Sequence, residues 1–445
     1  MAIPPPAIST EIPSSTTALS RPYGVINGIS ASADWPTKLR RPSSGECSAP
    51  GEFVSLHCDT TSLSCVPPTG ACPMASGIHV HCPAADLYEA LALLHPVIPS
   101  RATTPVLECI HLRATQDGTL HLTATNLSQR MTVRCPVSLV GTGEALVPAK
   151  LLWDTVRSLE RDETISLRSE GTTLVLETAY GHYAISGLSP TEFPEDTELP
   201  QLAVELPAEV IGQIIHHVRF AASDEPLRPA LTGILWEFRP DAFIAVATDG
   251  YRLSRLYAPM ELNQEGSLLV PAEAAELLRR AEKAIRIGWN SSHVVFEDHR
   301  FTLVCQLIGE KFPAYEQVIP AASSRRCIVG RLPLLKALER VSLFSPAQIR
   351  VVRLALRTNA LELQAEDESR GDRAREVVPC QYDGDDFLIG FNARYLSEVL
   401  KAAQQDTLLL EFTEPTRPAV IRWAESADRP VLQSPWVAVV MPVRL

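Results

Sequence analysis

The chain has 445 residues, 45% of them hydrophobic and 21% charged, with a formal net charge of −12. That length suits roughly three domains, each able to bury a sizeable core. The lack of any run of about 18 apolar residues excludes a membrane-spanning helix. The acidic balance argues against nucleic-acid binding only until the Lys and Arg positions are known.

Residues 1–76 are rich in Pro, Ser and Thr, with "IPPPAISTEIPSSTTALSRP" near the start. Such a segment buries too little apolar surface to offset its ordering entropy, so a disordered extension is one reading. A second is a start at Met74, which opens "MASGIHVHCPAADLYEALALL". A Ser-rich, transit-like peptide is the third; a secretory signal, with its basic and apolar regions, is not expected. Mass spectrometry of the native N-terminus separates them. Four of the ten cysteines (Cys47, Cys58, Cys65 and Cys72) fall here, and Cys82 follows. Their spacing matches no paired zinc pattern. Cys109, Cys135, Cys305, Cys327 and Cys380 sit beside apolar residues and read as buried free thiols of a reducing compartment.

From residue 77 six amphipathic helices are expected: Ala84–Leu94, Ala149–Leu159, Ala208–Phe220, Ala272–Ala284, Leu332–Leu343 and Ala393–Ala403. Pro83, Pro148, Pro207 and Pro271 introduce the first four, where a missing N–H costs nothing. Asn392 is a good N-cap for the last. Strands are expected at Thr119–Thr125, Thr172–Thr178, His293–Glu297, Phe301–Leu307 and Ala360–Ala365, about four per helix. "EFPEDTELP" (192–200) and "KFPAYEQVIP" (311–320) each close a two-helix block. The fold class is α+β: three domains (77–200, 201–322 and 323–445), each an internal pseudo-repeat with antiparallel sheets.

The cations recur on these helices. Arg157 and Arg161 are spaced i, i+4, as are Lys336 and Arg340; Arg279, Lys283 and Arg286 are i, i+4, i+7, and Arg394 and Lys401 i, i+7. Each set falls on one helix face. One such stripe reads as a solvated surface; its recurrence suggests a common basic lining for a phosphate backbone, tracked without reading sequence. No P-loop, Rossmann glycine pattern, GxSxG, HExxH or paired CxxC occurs. His216-His217 reads as core or surface, and the acidic loop "YDGDDF" lacks further metal ligands. No catalyst, cofactor or metal is expected. In "VATDGYRLS" (246–254), Asp249-Gly250 predicts a two-residue hairpin turn.

"ATDGYRLS", "KFPAYEQVIP", "IGFNARYLSEVL" (389–400) and the terminal "VVMPVRL" together resemble the bacterial DNA polymerase III β subunits, the sliding clamps. The resemblance spans about residues 77–445. It implies three DNA-clamp domains per chain, closed head to tail as a homodimeric ring around duplex DNA. It also implies a cytoplasmic, non-catalytic processivity factor. A cleft between the second and third domains would take short linear motifs of polymerases, clamp loader and repair proteins. Carried over, that cleft comprises Leu231, Thr248, Gly250, Tyr251, Arg252, Leu253, Pro313, Val318, Asn392, Tyr395, Val439, Val440, Met441, Pro442, Val443, Arg444 and Leu445. Arg101 and Arg228 occupy DNA-contacting positions of the family. Departures are Gln317 for a frequent Arg, Tyr251 for a common His, Val443 for a common Met, and Pro229 and Ala230 where aromatics occur, near Asp224 and Glu225. They raise two alternatives: a divergent paralogue serving as a specialised or inhibitor-tolerant clamp, and a clamp-fold interaction protein that no longer holds DNA.

Overall fold

The computed structural model describes residues 77–445, except 196, 197, 347 and 349. The readings made for residues 1–76 lie outside the described residues. Three units follow one another. The first contains β1 (His79–Pro83), α1 (Ala84–Leu94), β2 (Cys109–Ala114), β3 (Thr119–Thr125), β4 (Gln129–Pro136), β5 (Ser138–Gly141), β6 (Gly143–Pro148), α2 (Ala149–Ser158), β7 (Thr164–Glu170), β8 (Thr173–Glu177) and β9 (His182–Ser186). The second contains β10 (Leu202–Leu206), α3 (Ala208–His217), β11 (Gly233–Arg239), β12 (Ala242–Thr248), β13 (Arg252–Pro259), β14 (Gly266–Pro271), α4 (Ala272–Leu277), β15 (Ile285–Trp289), β16 (His293–Glu297) and β17 (Phe301–Gln306). The third contains β18 (Arg325–Gly330), α5 (Arg331–Ser342), β19 (Val351–Arg357), β20 (Ala360–Asp367), β21 (Asp372–Gln381), β22 (Phe387–Asn392), α6 (Ala393–Ala402), β23 (Thr407–Phe412), β24 (Ala419–Trp423) and β25 (Trp436–Val440).

Each unit places two helices against antiparallel sheets, as the alternation and the Pro signals predict. The four prolines stand at the N-cap, one residue before the first helical turn. Asn392 caps α6 by accepting the Arg394 N–H at 2.9 Å. On α6, Ala393, Leu396, Val399 and Leu400 turn inward at helical spacing. The free thiols of Cys82, Cys109, Cys135, Cys305, Cys327 and Cys380 are all buried.

Five expected helices end early: the third at His217 rather than Phe220, the fifth at Ser342, the sixth at Ala402, and two more whose ends move predicted cations. The fourth stops at Leu277 and tightens into a 3-10 turn, Leu278–Arg280. Beyond it Ile285 and Ile287 alternate into the core as β15; period two overrides the helical pattern. Arg286 is therefore a strand residue, and Arg279, Lys283 and Arg286 form no helical stripe. The second helix ends at Ser158, which leaves Arg161 beyond it, its guanidinium 3.3 Å from the Tyr88 ring centre. Arg157 and Arg161 likewise share no helix.

Sheets run through the unit boundaries. An eight-stranded sheet joins the first unit to the second where β4 pairs with β17; a twelve-stranded sheet joins the second to the third where β13 pairs with β25. The two junctions share one register. Gln129 to Val133 face Cys305 to Phe301 in order, and Arg252 to Leu256 face Val440 to Trp436 in order.

Candidate functional site

The hairpin between β12 and β13 sits at the second junction. Its turn is centred one residue later than Asp249-Gly250 predicts, on Gly250 and Tyr251. Gly250 has φ 90°, which suits a residue without Cβ. The Asp249 carboxylate takes the place of the turn carbonyl, accepting from the N–H of Tyr251 at 2.8 Å and of Arg252 at 2.9 Å. The Thr248 hydroxyl donates to the Arg252 carbonyl at 2.6 Å and accepts from the Gly250 N–H at 3.1 Å.

Alternation along β13 then divides the side chains. Leu253 faces outward, with Leu235, Val246, Phe312, Tyr315, Ile319, Val437 and Val439 in one apolar cluster. Arg252 and Val440 turn the other way. Val440 is buried in the core of the third unit. Arg252 is 7% exposed, ion-paired with Glu398 of α6 and, at 3.1 Å, with Asp249. Its guanidinium lies 5.0 Å from the Tyr395 ring and 5.3 Å from that of Phe220. Thus Arg252 ties the hairpin to α6, Thr248 holds the hairpin's own turn, and Val440 fills a core. Asn392 is committed to its helix cap in the same way.

Among the remaining cleft residues, those of the hairpin, the start of α6 and the C-terminal tail meet. Tyr251, 58% exposed, stacks on Tyr395 at 5.8 Å and 13°. The Met441 N–H donates to the Tyr251 carbonyl at 2.8 Å, and the Val443 N–H to that of Gly390 at 2.8 Å. The tail Met441–Leu445 therefore runs from the hairpin to β22, with Met441, Arg444 and Leu445 exposed and Pro442 and Val443 half-buried. Leu231, nearly buried, closes the 3-10 turn Pro229–Leu231, and Arg228 beside it comes close to Gly250. The connector Phe312–Ile319 covers the outer sheet face; Phe312 and Tyr315 are buried, while Pro313, Gln317 and Val318 stay exposed. Beneath it a groove of about 510 Å³ is lined by Leu235, Leu269, Ile308, Phe312, Pro313 and Tyr315.

One residue of this face escapes a reading by motif. Arg255, 2% exposed, stands among the apolar cluster within reach of Tyr315. Burial draws its pKa down, partly offset by Tyr315 and Glu237. The Tyr315 hydroxyl donates to Glu237 at 3.0 Å, and Glu237 pairs with Arg239 at 2.7 Å. This chain of polar groups ties the connector to the sheet. Its sequence signal is spacing: Arg255 lies two residues beyond Leu253 and so on the same strand face.

The predicted DNA-facing cations are mostly partnered. Arg157 lies 3.8 Å from Asp154, Arg286 3.0 Å from Glu297, Arg394 2.9 Å from Glu398 and Lys401 3.0 Å from Glu339. Arg279 pairs with Glu276 and Arg340 with Glu376. Arg101, Arg228, Lys283 and Lys336 are exposed. Among the described residues no group of three or more His, Cys, Asp or Glu side chains is placed to hold a metal.

Three family models match in order: the N-terminal domain of the DNA polymerase III beta subunit over residues 78–198, the central domain over 205–314 and the C-terminal domain over 316–437. A beta sliding clamp of Synechococcus elongatus is 31% identical over 355 residues, covering 76% of this chain and 93% of its own. That of Pseudomonas putida is 29% identical over 367 residues, covering 81% and 98%. A crystal structure of the Pseudomonas aeruginosa sliding clamp bound to griselimycin superimposes with a TM-score of 0.78 at 27% identity, covering 83% of this chain and all of that one. With all three domains matched in sequence and in fold, the chain belongs to the DNA polymerase III beta subunit family, the beta sliding clamps.

Proposed function

We propose that this clamp works as a homodimeric ring that encircles duplex DNA and holds polymerases to it, with no catalysis of its own. The observation that carries the ring is the repeated junction. β4 and β13 each end the first half of a unit and pair with β17 and β25, which each end a second half. The strands in the corresponding places that remain are β21 in the third unit and β9 in the first. β9 is a sheet edge. β21 pairs with β18 only through Gln381 and Cys380, leaving residues 372–379 with β20 as their one neighbour among the described residues. Both edges have exposed apolar side chains near them: Tyr180 (99%) just before β9 and Tyr183 on it, Val377 on β21, and Leu343 (80%) and Phe344 at the end of α5, the helix that packs on β21. Pairing β21 of one copy with β9 of another covers both edges, and twofold repetition closes the assembly.

Ring closure explains how DNA is retained although most inward cations have a carboxylate partner. Topology holds the duplex, and the exposed Arg101, Arg228, Lys283 and Lys336 supply weak, sequence-independent phosphate contact. Polymerases, clamp loader and repair proteins would dock short linear motifs between the hairpin, the connector and the C-terminal tail, in the cytoplasm. The aromatic pair Tyr251 and Tyr395 would form one wall and Leu253 with Val439 the floor. The ion pairing of the cations, together with Asp224 and Glu225 near Arg228, favours a second reading, a clamp-fold interaction protein that no longer holds DNA. Sedimentation at micromolar concentration and primer extension on circular DNA with a clamp loader test both. The ring predicts a dimer, a Leu343→Asp monomer, and long products lost with that variant. A monomeric native chain overturns the ring; a dimer without any gain in product length leaves the interaction-protein reading.

A further inference from the structure

We propose that Tyr251 sets the specificity of the hairpin wall: it takes an aromatic side chain of a docked peptide as the third ring of a stack. This specificity rests on the peptide cleft proposed above.

Two rings are already stacked. Tyr251 and Tyr395 lie with ring centres 5.8 Å apart and planes 13° from parallel. That is one of the arrangements aromatic pairs favour. Tyr395, in the first turn of α6, is half-buried, whereas Tyr251 is 58% exposed. The face of Tyr251 turned away from Tyr395 is the open one.

The pair is held before a ligand arrives. The Arg252 guanidinium lies 5.0 Å from the Tyr395 ring and is itself fixed by Glu398 and Asp249. The Asp249 carboxylate accepts the Tyr251 N–H at 2.8 Å, and the Tyr251 carbonyl accepts the Met441 N–H at 2.8 Å. The backbone of Tyr251 is therefore bonded on both sides, to its own turn and to the C-terminal tail. An aromatic platform with a pinned backbone and two side-chain torsions loses little entropy on binding.

Charge selects among the groups that can cover such a face. A π face attracts cations as well as rings. Here Arg252 and Arg394 both act on the Tyr395 hydroxyl, and an Arg228 nitrogen comes within 3.9 Å of the place a Cβ on Gly250 would take. Asp249 and Glu398 oppose these three cations, and both are already paired. Burial, helped by Asp249, pushes the Tyr395 pKa up, so that ring adds no negative charge. A ligand ammonium therefore meets net repulsion. A neutral ring meets none, and gains the ring-on-ring contact that an aliphatic side chain lacks.

Fluorescence anisotropy with the full chain tests this. Leu253, in the floor beside the wall, lies two strand residues from Tyr251, about 7 Å along an extended chain. The probes are therefore labelled peptides Xaa-Ser-Leu-Leu-Ser-Xaa, in which Leu meets the floor and Xaa the wall in either chain direction. With Xaa as Trp, binding should be about fivefold tighter than with Leu, and tighter than with Lys. Tyr251→Phe should keep that preference because the ring remains, and Tyr251→Ala should lose most of it. A merely structural Tyr251 would shift the three peptides together. Equal binding of the Trp and Leu peptides, a preference that Tyr251→Ala leaves intact, or tightest binding of the Lys peptide overturns the proposal and leaves the cleft standing. No binding by any of them at millimolar concentration overturns the cleft, and the proposal with it.

Discussion

The two junctions are one backbone template filled twice. In both, a Thr-Asx pair folds a hairpin through the same hydrogen bonds, and the strand leaving it pairs across the unit boundary in the same five-residue register. The inner faces are apolar in both: Met131, Leu303 and Phe301 at one, and at the other Trp436 and Ala438, with Ser254 bonded to Trp436. Outward, one presents Leu253 and Val439 and the other Arg130 and Thr132. Fold thus resides in the hydrogen bonds and the inward residues, and whatever each junction recognises resides in the outward ones.

The largest expected difference lies inside. Trp436 and Phe301 hold corresponding, fully buried places. The Trp436 Nε1–H also donates to the Ser254 hydroxyl at 3.0 Å and to the His217 carbonyl at 3.2 Å. Trp436→Ala should therefore cost about 5 kcal/mol and Phe301→Ala about 3–4 kcal/mol, measured by urea unfolding of the full chain. Equal losses would mean that the polar bonds of the second junction add nothing.

Acid should separate the junctions next. His217 is 1% exposed, and its Nδ1–H reaches the Ala402 carbonyl at 2.6 Å, tying α3 to α6. Burial lowers its pKa from 6.5 to about 4, against the pull of that hydrogen bond upward. The neutral form is the folded one. Its stabilisation is complete above about pH 6.5, falls as pH drops towards 4 because only the unfolded chain gains the proton, and is flat below that. The loss amounts to about 3 kcal/mol. Leu93 of α1 occupies the like position and does not titrate. His217→Leu should abolish this part of the pH dependence in unfolding curves between pH 7 and 4; an unchanged slope would assign it elsewhere.

How much of this was legible depends on how local the cause is. The first helix and the strands Thr119–Thr125 and His293–Glu297 carry the bounds expected from their proline and alternation signals. The end of the fourth helix is not legible because Ile285 and Ile287 satisfy a strand as well as a helix, and their partners β10 and β16 decide. The hairpin at Asn126-Leu127 went unread because it lacks the glycine that marked its twin. Convergence of hairpin, connector and tail followed from family resemblance. That Arg252 points inward did not, because its partner Glu398 lies 146 residues away.

The smallest expected effect concerns that arginine. The matching place in the first junction is Gln129, also 7% exposed. Arg252→Gln leaves Asp249 without its cation and Glu398 with Arg394 alone. Glu398 is 30% exposed and partly solvated, so the loss should be about 2 kcal/mol, below that of a fully buried pair. Adding Glu398→Gln removes a carboxylate that has lost one of its two cations and should return part of it, a coupling that two independent surface residues would not show. Peptide binding divides the roles further. If Arg252 acts by holding the Tyr251–Tyr395 wall, the double variant should recover affinity for a clamp-motif peptide together with stability. If Arg252 touches the peptide, stability returns and affinity does not.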